Sequence, residues 1–456
     1  MLLKRMAFHK MAWIDGVHYV FGTAPGMYFT SLNVVSSMAR AFIAHSYESH
    51  YGEKPTRGQA TFWWSVMTCS LALGLILGAL FSAIALDRLG RKTSLVTIRN
   101  LLAICGAFLQ FCSAQFFNSF ELLIVGRFIA GISLGMTLNL PIYISECKKP
   151  GQTANVGTFF IAALLMQNTM GQALCLPVLL GTHQRWHFIL LVPLFHSLIH
   201  ISLGFFMKES PKHLFVTMHD EKQAKEAFDY YLPNGDWQAV KALYEKEKQL
   251  QSGRHASIQE VATTKHYRWP IIVCAVCVMG NKMSGSDIAW FYSTEMIESF
   301  GLSAENAMWF SVAALQSVTL VMVLLHVAFQ IVRRTRRRLL FLTGVGSGIV
   351  ATVFMLIGGQ LPNKDMSALT ILVITLLYPT AYIWLGSLAV LPLMLAGIAC
   401  FVFLYYKMPE SKGKTVVEVT SVWRDSSSQA VREKGTVENG RPDNAVEDAE
   451  EKESVI

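Results

Sequence analysis

The chain has 456 residues, 52% of them hydrophobic and 15% charged, with a formal net charge of +8. Soluble domains carry about 25% charged residues, so a water-soluble core of this length cannot hide the apolar surface, and lipid is the solvent that can. The basic residues sit in short clusters between apolar runs, which argues against a nucleic-acid patch and for encoded membrane orientation.

A membrane span needs about 20 apolar residues. In chain order, candidates lie at 13–36, 61–86, 94–116, 120–143, 155–180, 187–207, 269–299, 304–330, 339–359, 367–384 and 385–407, about eleven in all. Asp15, His18 and several glycines and prolines dilute the first, which begins with no signal-peptide pattern. The last two are nearly fused at Trp384-Leu385-Gly386. Arg88, Arg91 and Lys92 follow the second span, Lys148 and Lys149 the fourth, and the Arg333, Arg334, Arg336, Arg337 and Arg338 run the eighth. These even-numbered ends share one side, expected to be cytoplasmic, with Lys4, Arg5 and Lys10. The five arginines read as an anchor to anionic lipid.

The predicted organisation is an N-terminal six-helix bundle (1–207), a cytoplasmic helical linker (208–268), an incomplete C-terminal bundle (269–407) and a disordered cytoplasmic tail (408–456). Within the linker, EKQAKEAFDYYL and DWQAVKALYEKEKQL read as short amphipathic helices between the breakers Pro211, Pro233 and Gly235. The tail is polar and Glu-rich. Its last residues, Ser454-Val455-Ile456, have the Ser-x-apolar form that can add a strand to a PDZ domain.

Chemistry-bearing clusters are scarce. No phosphate loop, metal cluster or nucleophile–base arrangement is legible, so neither cofactor nor enzymatic role is expected. The eight cysteines are scattered; Cys274 and Cys277 form a C-x-x-C inside an apolar run, where packing is the plain reading. His187, His196 and His200 surround the sixth span and read as packing or interfacial residues ahead of a proton relay. No Asn-x-Ser/Thr acceptor for N-glycosylation occurs.

Six segments carry a more specific signal. Asp87-Arg88-Leu89-Gly90-Arg91-Lys92 joins the second and third spans, with a glycine for the turn and charges to brace helix ends. Gly126-Arg127-Phe128-Ile129-Ala130-Gly131-Ile132-Ser133-Leu134-Gly135 places small residues for close helix approach around an arginine that needs a partner. Pro141-Ile142-Tyr143-Ile144-Ser145-Glu146 ends the fourth span. Lys208-Glu209-Ser210-Pro211-Lys212-His213-Leu214 and Met408-Pro409-Glu410-Ser411-Lys412-Gly413-Lys414-Thr415 echo each other after the sixth and last spans. The seventh span contains Gly280-Asn281-Lys282-Met283-Ser284-Gly285-Ser286-Asp287, followed by Trp290-Phe291-Tyr292-Ser293-Thr294.

Together these resemble the sugar porter family of the major facilitator superfamily, the facilitative glucose transporters above all. The motifs D-R-x-G-R-[RK], G-R-x-x-x-G-x-x-x-G and P-x-Y-x-x-E are matched outright, and P-E-S-P-R-x-L and P-E-T-K-G-R-T are resembled with substitutions, Lys212 standing for the arginine of the first and Ser411 and Lys414 for Thr and Arg of the second. The resemblance implies an all-α membrane protein of two pseudo-symmetric helical bundles that rock around a site near the midplane. It implies gating roles for Asp87, Arg91, Arg127, Glu146, Glu209 and Glu410, with Arg91, Arg127 and Glu146 in one cytoplasmic charge network. Solute contacts would come from Gln167, Gln172, Asn281, Lys282, Asp287 and Tyr292.

The chain also departs from the family. A sugar site favours neutral groups that donate and accept, yet Asn281, Lys282 and Asp287 stand where the family has two Gln and one Asn, and Ile161 aligns with another Gln. Lys282 and Asp287 read as an ion pair or as a changed specificity. The family's tenth span, with its G-P-G-P-x-x-W segment, is missing, which leaves eleven spans instead of twelve and conflicts with a cytoplasmic Pro409-Glu410 motif. Three readings follow: facilitative transport of a hexose by alternating access at the plasma membrane, transport of a charged or zwitterionic solute, or a non-transporting, sensor-like relative.

Overall fold

The computed structural model describes residues 13–28, 31–148, 153, 156–233 and 235–251; beyond these it describes only 263–264, 268–269, 271–273, 275–276, 279, 303–310, 312, 399–400, 402–404 and 406. Asn281, Lys282, Asp287, Tyr292 and Glu410 lie outside the described residues, as do the Arg333–Arg338 run, the spans expected at 339–359 and 367–384, and the tail.

Among the described residues every regular element is helical. We label them α1 (13–20), α2 (Ser36–Tyr51), α3 (Arg57–Leu89), α4 (Thr93–Phe117), α5 (Phe120–Glu146), α6 (Val156–Leu174), α7 (Trp186–Gly204), α8 (Pro211–Val216), α9 (Glu221–Tyr231) and α10 (Trp237–Gln251). By length and composition α3, α4, α5 and α7 can each cross a membrane.

Local chemistry sets the ends. The Thr56 hydroxyl accepts from the Gln59 N–H at 3.3 Å while the Gln59 side chain accepts from the Thr56 N–H at 2.8 Å, a capping box that starts α3 and is worth about 1 kcal/mol. Ser119 caps α5 by accepting from the Leu122 N–H at 3.2 Å. α5 is interrupted at Leu138–Asn139, just before Pro141, because proline supplies no N–H to the preceding turn. α4 carries π-type turns at both ends and stops at Asn118, whose φ of 45° is left-handed.

Glycines decide the packing. A Cβ at Gly74 or Gly78 of α3 would lie 2.1 Å from the carbonyl oxygens of Phe128 or Ile132 on α5. In return, a Cβ at Gly131 or Gly135 would lie 2.3 or 2.2 Å from the carbonyl oxygens of Leu71 or Leu75 on α3. Gly126 and Gly106 let α5 and α4 meet just as closely. Large side chains point the other way: Leu73, Ile76, Leu80, Phe81 and Ile84 of α3 are exposed. Small residues inward and large apolar ones outward is the arrangement for helices solvated by lipid, where close backbone contact replaces hydrophobic exclusion.

The predicted first span does not form one helix. α1 ends at residue 20, a turn and a 3-10 segment (Ala24–Tyr28) follow, and a short helix (Ser31–Val34) leads into α2. Pro25 lacks an N–H, so the ladder cannot run through. Four carbonyls at or beside the break are met by side chains from elsewhere in the bundle: Gln167 donates to Val20, Arg99 to Gly22, Arg127 to Tyr28 at 3.5 Å, and the thiol of Cys175, just past α6, to Ser31 at 3.2 Å. Backbone breaks at membrane depth persist only when such groups are re-satisfied.

The linker helices match the two amphipathic segments. Phe215, Val216, Ala224, Phe228, Trp237 and Val240 form their own small core, and Ser210 and Asp220 cap α8 and α9 by accepting from His213 N–H at 3.2 Å and Gln223 N–H at 2.9 Å.

Gly74→Ala should destabilise the detergent-solubilised protein by about 1–3 kcal/mol, because its methyl meets backbone that cannot yield. Gly58→Ala, in the first turn of the same helix with nothing within 4 Å, should be neutral or stabilising by up to about 1 kcal/mol. Thermal unfolding of the two variants checks the opposite signs.

Candidate functional site

The tight turn between α3 and α4 builds a charge cluster. Gly90 has φ 89°, and a Cβ there would lie 2.4 Å from a Glu209 carboxylate oxygen, so only glycine allows this approach. Glu209 accepts from the backbone N–H of Arg91 at 2.9 Å and of Lys92 at 3.0 Å, an anion seated in a nest of successive amides. The Arg91 guanidinium turns to Glu146 at the end of α5, with Nε and Nη2 at 2.9 and 3.2 Å from its two oxygens. This bidentate pair is largely buried, with 13% and 9% of the two side chains exposed. Ser210 donates to the same carboxylate at 2.6 Å while capping α8, and Lys92 Nζ donates to the Met207 carbonyl.

Arg91, Glu146 and Glu209, singled out in the sequence, therefore meet in one cluster that ties three separate chain segments. The sequence reading missed His213. Its Nδ1 accepts from Arg91 Nη1 at 2.7 Å, which places the ring proton on Nε2 and keeps the imidazole neutral. Burial and the adjoining Arg91 charge hold its pKa below the ordinary value, opposed by Glu209, Glu146 and Asp87. Lys92 is likewise lowered by burial, against the pull of Glu209. Behind the cluster, Tyr143 and Tyr231 both donate to the Lys208 carbonyl and sit 2.9 Å apart. Asp15 at the start of the first span bonds Lys148 at 2.7 Å, which accounts for an acid in an apolar run. Asp87 is exposed and makes no ion pair among the described residues.

Arg127 stands apart from this cluster. It was expected to share the network of Arg91 and Glu146; the structure instead places it beside Tyr28, with only the Tyr28 carbonyl as acceptor. The reason is register: Arg127 lies in the second turn of α5 and Glu146 at its far end, about 28 Å of helix rise apart. Gln167 is buried and spends its amide on the Val20 carbonyl, and Gln172 is fully buried in α6. Both occupy the interior beside the broken span.

Arg99 was not anticipated. Its guanidinium donates to Leu95 O, Gly22 O, Thr137 Oγ1, Asn100 Oδ1 and His200 Nδ1. His200 Nδ1 also accepts from Asn100 at 2.8 Å, so its proton sits on Nε2 and points to His18 Nδ1 at 3.1 Å. A chain that ends on a guanidinium is a dead end for a proton. His196 contacts the Val192 carbonyl and His187 packs on Phe111 and Phe188, so neither joins a relay with His200.

Two outcomes test the cluster. Glu146→Gln removes the charge partner of a largely buried arginine, a change worth about 2–5 kcal/mol; alkylation of Cys147, buried next to Glu146, should accelerate at least about tenfold, each factor of ten being about 1.4 kcal/mol, read site by site by mass spectrometry. For His213, the depressed folded pKa means the unfolded chain binds a proton first as pH drops. Its stabilising contribution is therefore full above about pH 7 and is lost as pH falls below about 6.5. The stability gap between wild type and His213→Phe should be constant above neutrality and narrow as pH falls below about 6.5.

With this geometry in place, similarity to known proteins can be stated. The chain is 26% identical over 449 residues to solute carrier family 2, facilitated glucose transporter member 2, of Mus musculus, covering 87% of this chain and 84% of that one. It is 23% identical over 450 residues to member 3 of Oryctolagus cuniculus, covering 88% and 89%. Among solved structures, the major facilitator superfamily proton:xylose symporter XylE bound to 6-bromo-6-deoxy-D-glucose superposes with a TM-score of 0.68 at 15% identity, covering 90% of this chain and 99% of that one. The inward-open xylose transporter XylE from E. coli gives 0.59 at 16%, covering 91% and 100%. At such identities these structures establish the major facilitator fold. The family described as "Sugar (and other) transporter" matches residues 17–397, and the chain belongs to it.

Proposed function

We propose that the chain is a multi-pass membrane carrier that moves a sugar, a hexose first of all, by alternating access. The observation that carries this is the Arg91–Glu146 pair with Glu209 seated on the turn amides. These contacts join the α3–α4 turn, the end of α5 and the start of the linker, so they are a latch whose closing and opening can bias two arrangements of the bundles. The latch lies on the cytoplasmic side, where the basic loops gather. Its closed form belongs to the state whose site faces outward. Membership of a transporter family, and two facilitated glucose transporters that align along most of their length, support sugar as the solute. In this reading Asn281, Tyr292, Lys282 and Asp287 of the second bundle complete the site that Gln167 and Gln172 flank from the first. Glu410 serves as the second latch acid and Asp87 as an outlying one. Gln167 acts chiefly by holding the first-span break in shape. The plasma membrane is the proposed location, with a cytoplasmic tail that offers Ser454–Ile456 to a PDZ domain.

Purified protein in proteoliposomes should take up radiolabelled D-glucose with saturable kinetics. Glu146→Gln should lower the maximal rate while leaving binding at equilibrium within about threefold, since the acid stabilises one state and touches no solute. Flux equal to that of protein-free vesicles for glucose, fructose, galactose and xylose would overturn the proposal.

A further inference from the structure

Two arginines lie inside the N-terminal bundle, and their surroundings are opposites. Arg99 is completely buried, and each of its N–H donors has an acceptor from a carbonyl, a hydroxyl, an amide or an imidazole. It is a closed structural clamp. Arg127 is 3% exposed. Its single acceptor, the Tyr28 carbonyl, is 3.5 Å from Nη2, at the outer limit of a hydrogen bond. Among the described residues Nε and Nη1 have no acceptor, and the hydroxyl of Tyr28, itself 1% exposed, has no hydrogen-bond partner.

Among the described residues no acid pairs with this charge. Among the described residues the carboxylates nearest the bundle interior are committed elsewhere: Asp15 to Lys148, Glu146 to Arg91 and Ser210, Glu121 to Ser119 and His50. A guanidinium cannot shed its proton, and a buried cation in a membrane bundle persists when paired or when it serves a solute or ion. Arg99 shows that this bundle can satisfy an arginine with neutral groups where structure alone is required. Arg127 is not so satisfied, and its open donors share the break in the first span with the open Tyr28 hydroxyl.

We propose that Arg127 and Tyr28 form a binding site for a small anion, a halide or the carboxylate of a sugar acid. The guanidinium supplies charge and N–H donors, and the phenol adds an O–H donor. The Tyr28 carbonyl, already engaged by Nη2, fixes the side chain beside the break. Charge-assisted donation to an anion is about twice as strong as a neutral hydrogen bond, which selects an anion over a neutral hydroxyl here. The site stands apart from the sugar reading above.

The test uses the full chain in nanodiscs at constant ionic strength, with radiolabelled chloride and radiolabelled glucuronate as separate probes. Saturable binding of at least one probe is expected. Arg127→Gln should abolish it. Tyr28→Phe should weaken it about tenfold, the worth of one hydrogen bond to a charged group, and Arg127→Lys should retain weakened binding. Chloride that displaces glucuronate identifies one shared anion site; glucuronate binding that chloride does not displace assigns the site to the carboxylate of the solute. Absence of saturable binding of both probes to wild type overturns the proposal, as does undiminished binding in Arg127→Gln. Binding that appears only in Asp287→Asn also overturns it, because the chain's own carboxylate is then the partner of Arg127. If Arg127→Gln fails to elute as a monodisperse peak, Tyr28→Phe and Arg127→Lys decide: unchanged affinity in both overturns the site. Hexose uptake in the same preparations separates the two readings, since flux without anion binding sinks only this one, and anion binding without flux sinks only the other.

Discussion

A backbone group inside a bilayer must find its hydrogen bond within the protein, and the described half of this chain is arranged around that requirement. The first span breaks after residue 20, and the carbonyls of Val20, Gly22, Tyr28 and Ser31 pass to side chains on α6, α4, α5 and the loop after α6. Each contact does two things. It removes the cost of an orphaned carbonyl, and it fixes the position of a helix relative to the break. The bundle is thereby organised about its least regular element, the kind of element that can line a cavity.

Between the helices, glycine does what leucine does in soluble bundles. Gly74 and Gly78 of α3 and Gly131 and Gly135 of α5 bring two backbones into contact. Rigid pairs of this kind suit a protein that must move as bodies, because strain at one end reaches the other without being absorbed by repacking. The Arg91–Glu146–Glu209 cluster sits where such a body ends, at the turn after α3. Its members are held by charge and hydrogen bonds and not by interdigitated apolar side chains.

The two buried arginines show how the same side chain is put to different ends by its neighbours. Arg99 is absorbed into structure by carbonyls and a histidine held as a neutral acceptor. Arg127 keeps open donors beside Tyr28. A neutral sugar would not by itself require a guanidinium at that place. The charge of Arg127 thus asks for a partner of another kind than a neutral hydroxyl.

Much of this was legible in the sequence. Apolar length marked a membrane protein, because the bilayer sets the length of a span by local composition, and the basic clusters supplied an expected orientation. The resemblance to the sugar porters implied that Arg91 and Glu146 share one charge network and gave Glu209 a gating role; the structure brings all three into one cluster. The linker helices followed from period and caps. Tertiary structure alone decided the rest. That Arg127 lies far along α5 from Glu146 is helix arithmetic, but its neighbour Tyr28 comes from a break whose shape no local pattern dictates. That Gln167 serves a carbonyl, that His213 joins the Arg91 charge cluster and that His18, His200, Arg99 and Asn100 form one chain depend on residues 77 to 182 positions apart meeting in space. Hydropathy records how much of a segment lipid will accept; it does not record which buried donor finds which buried acceptor, and in this protein that pairing decides what each polar residue is for.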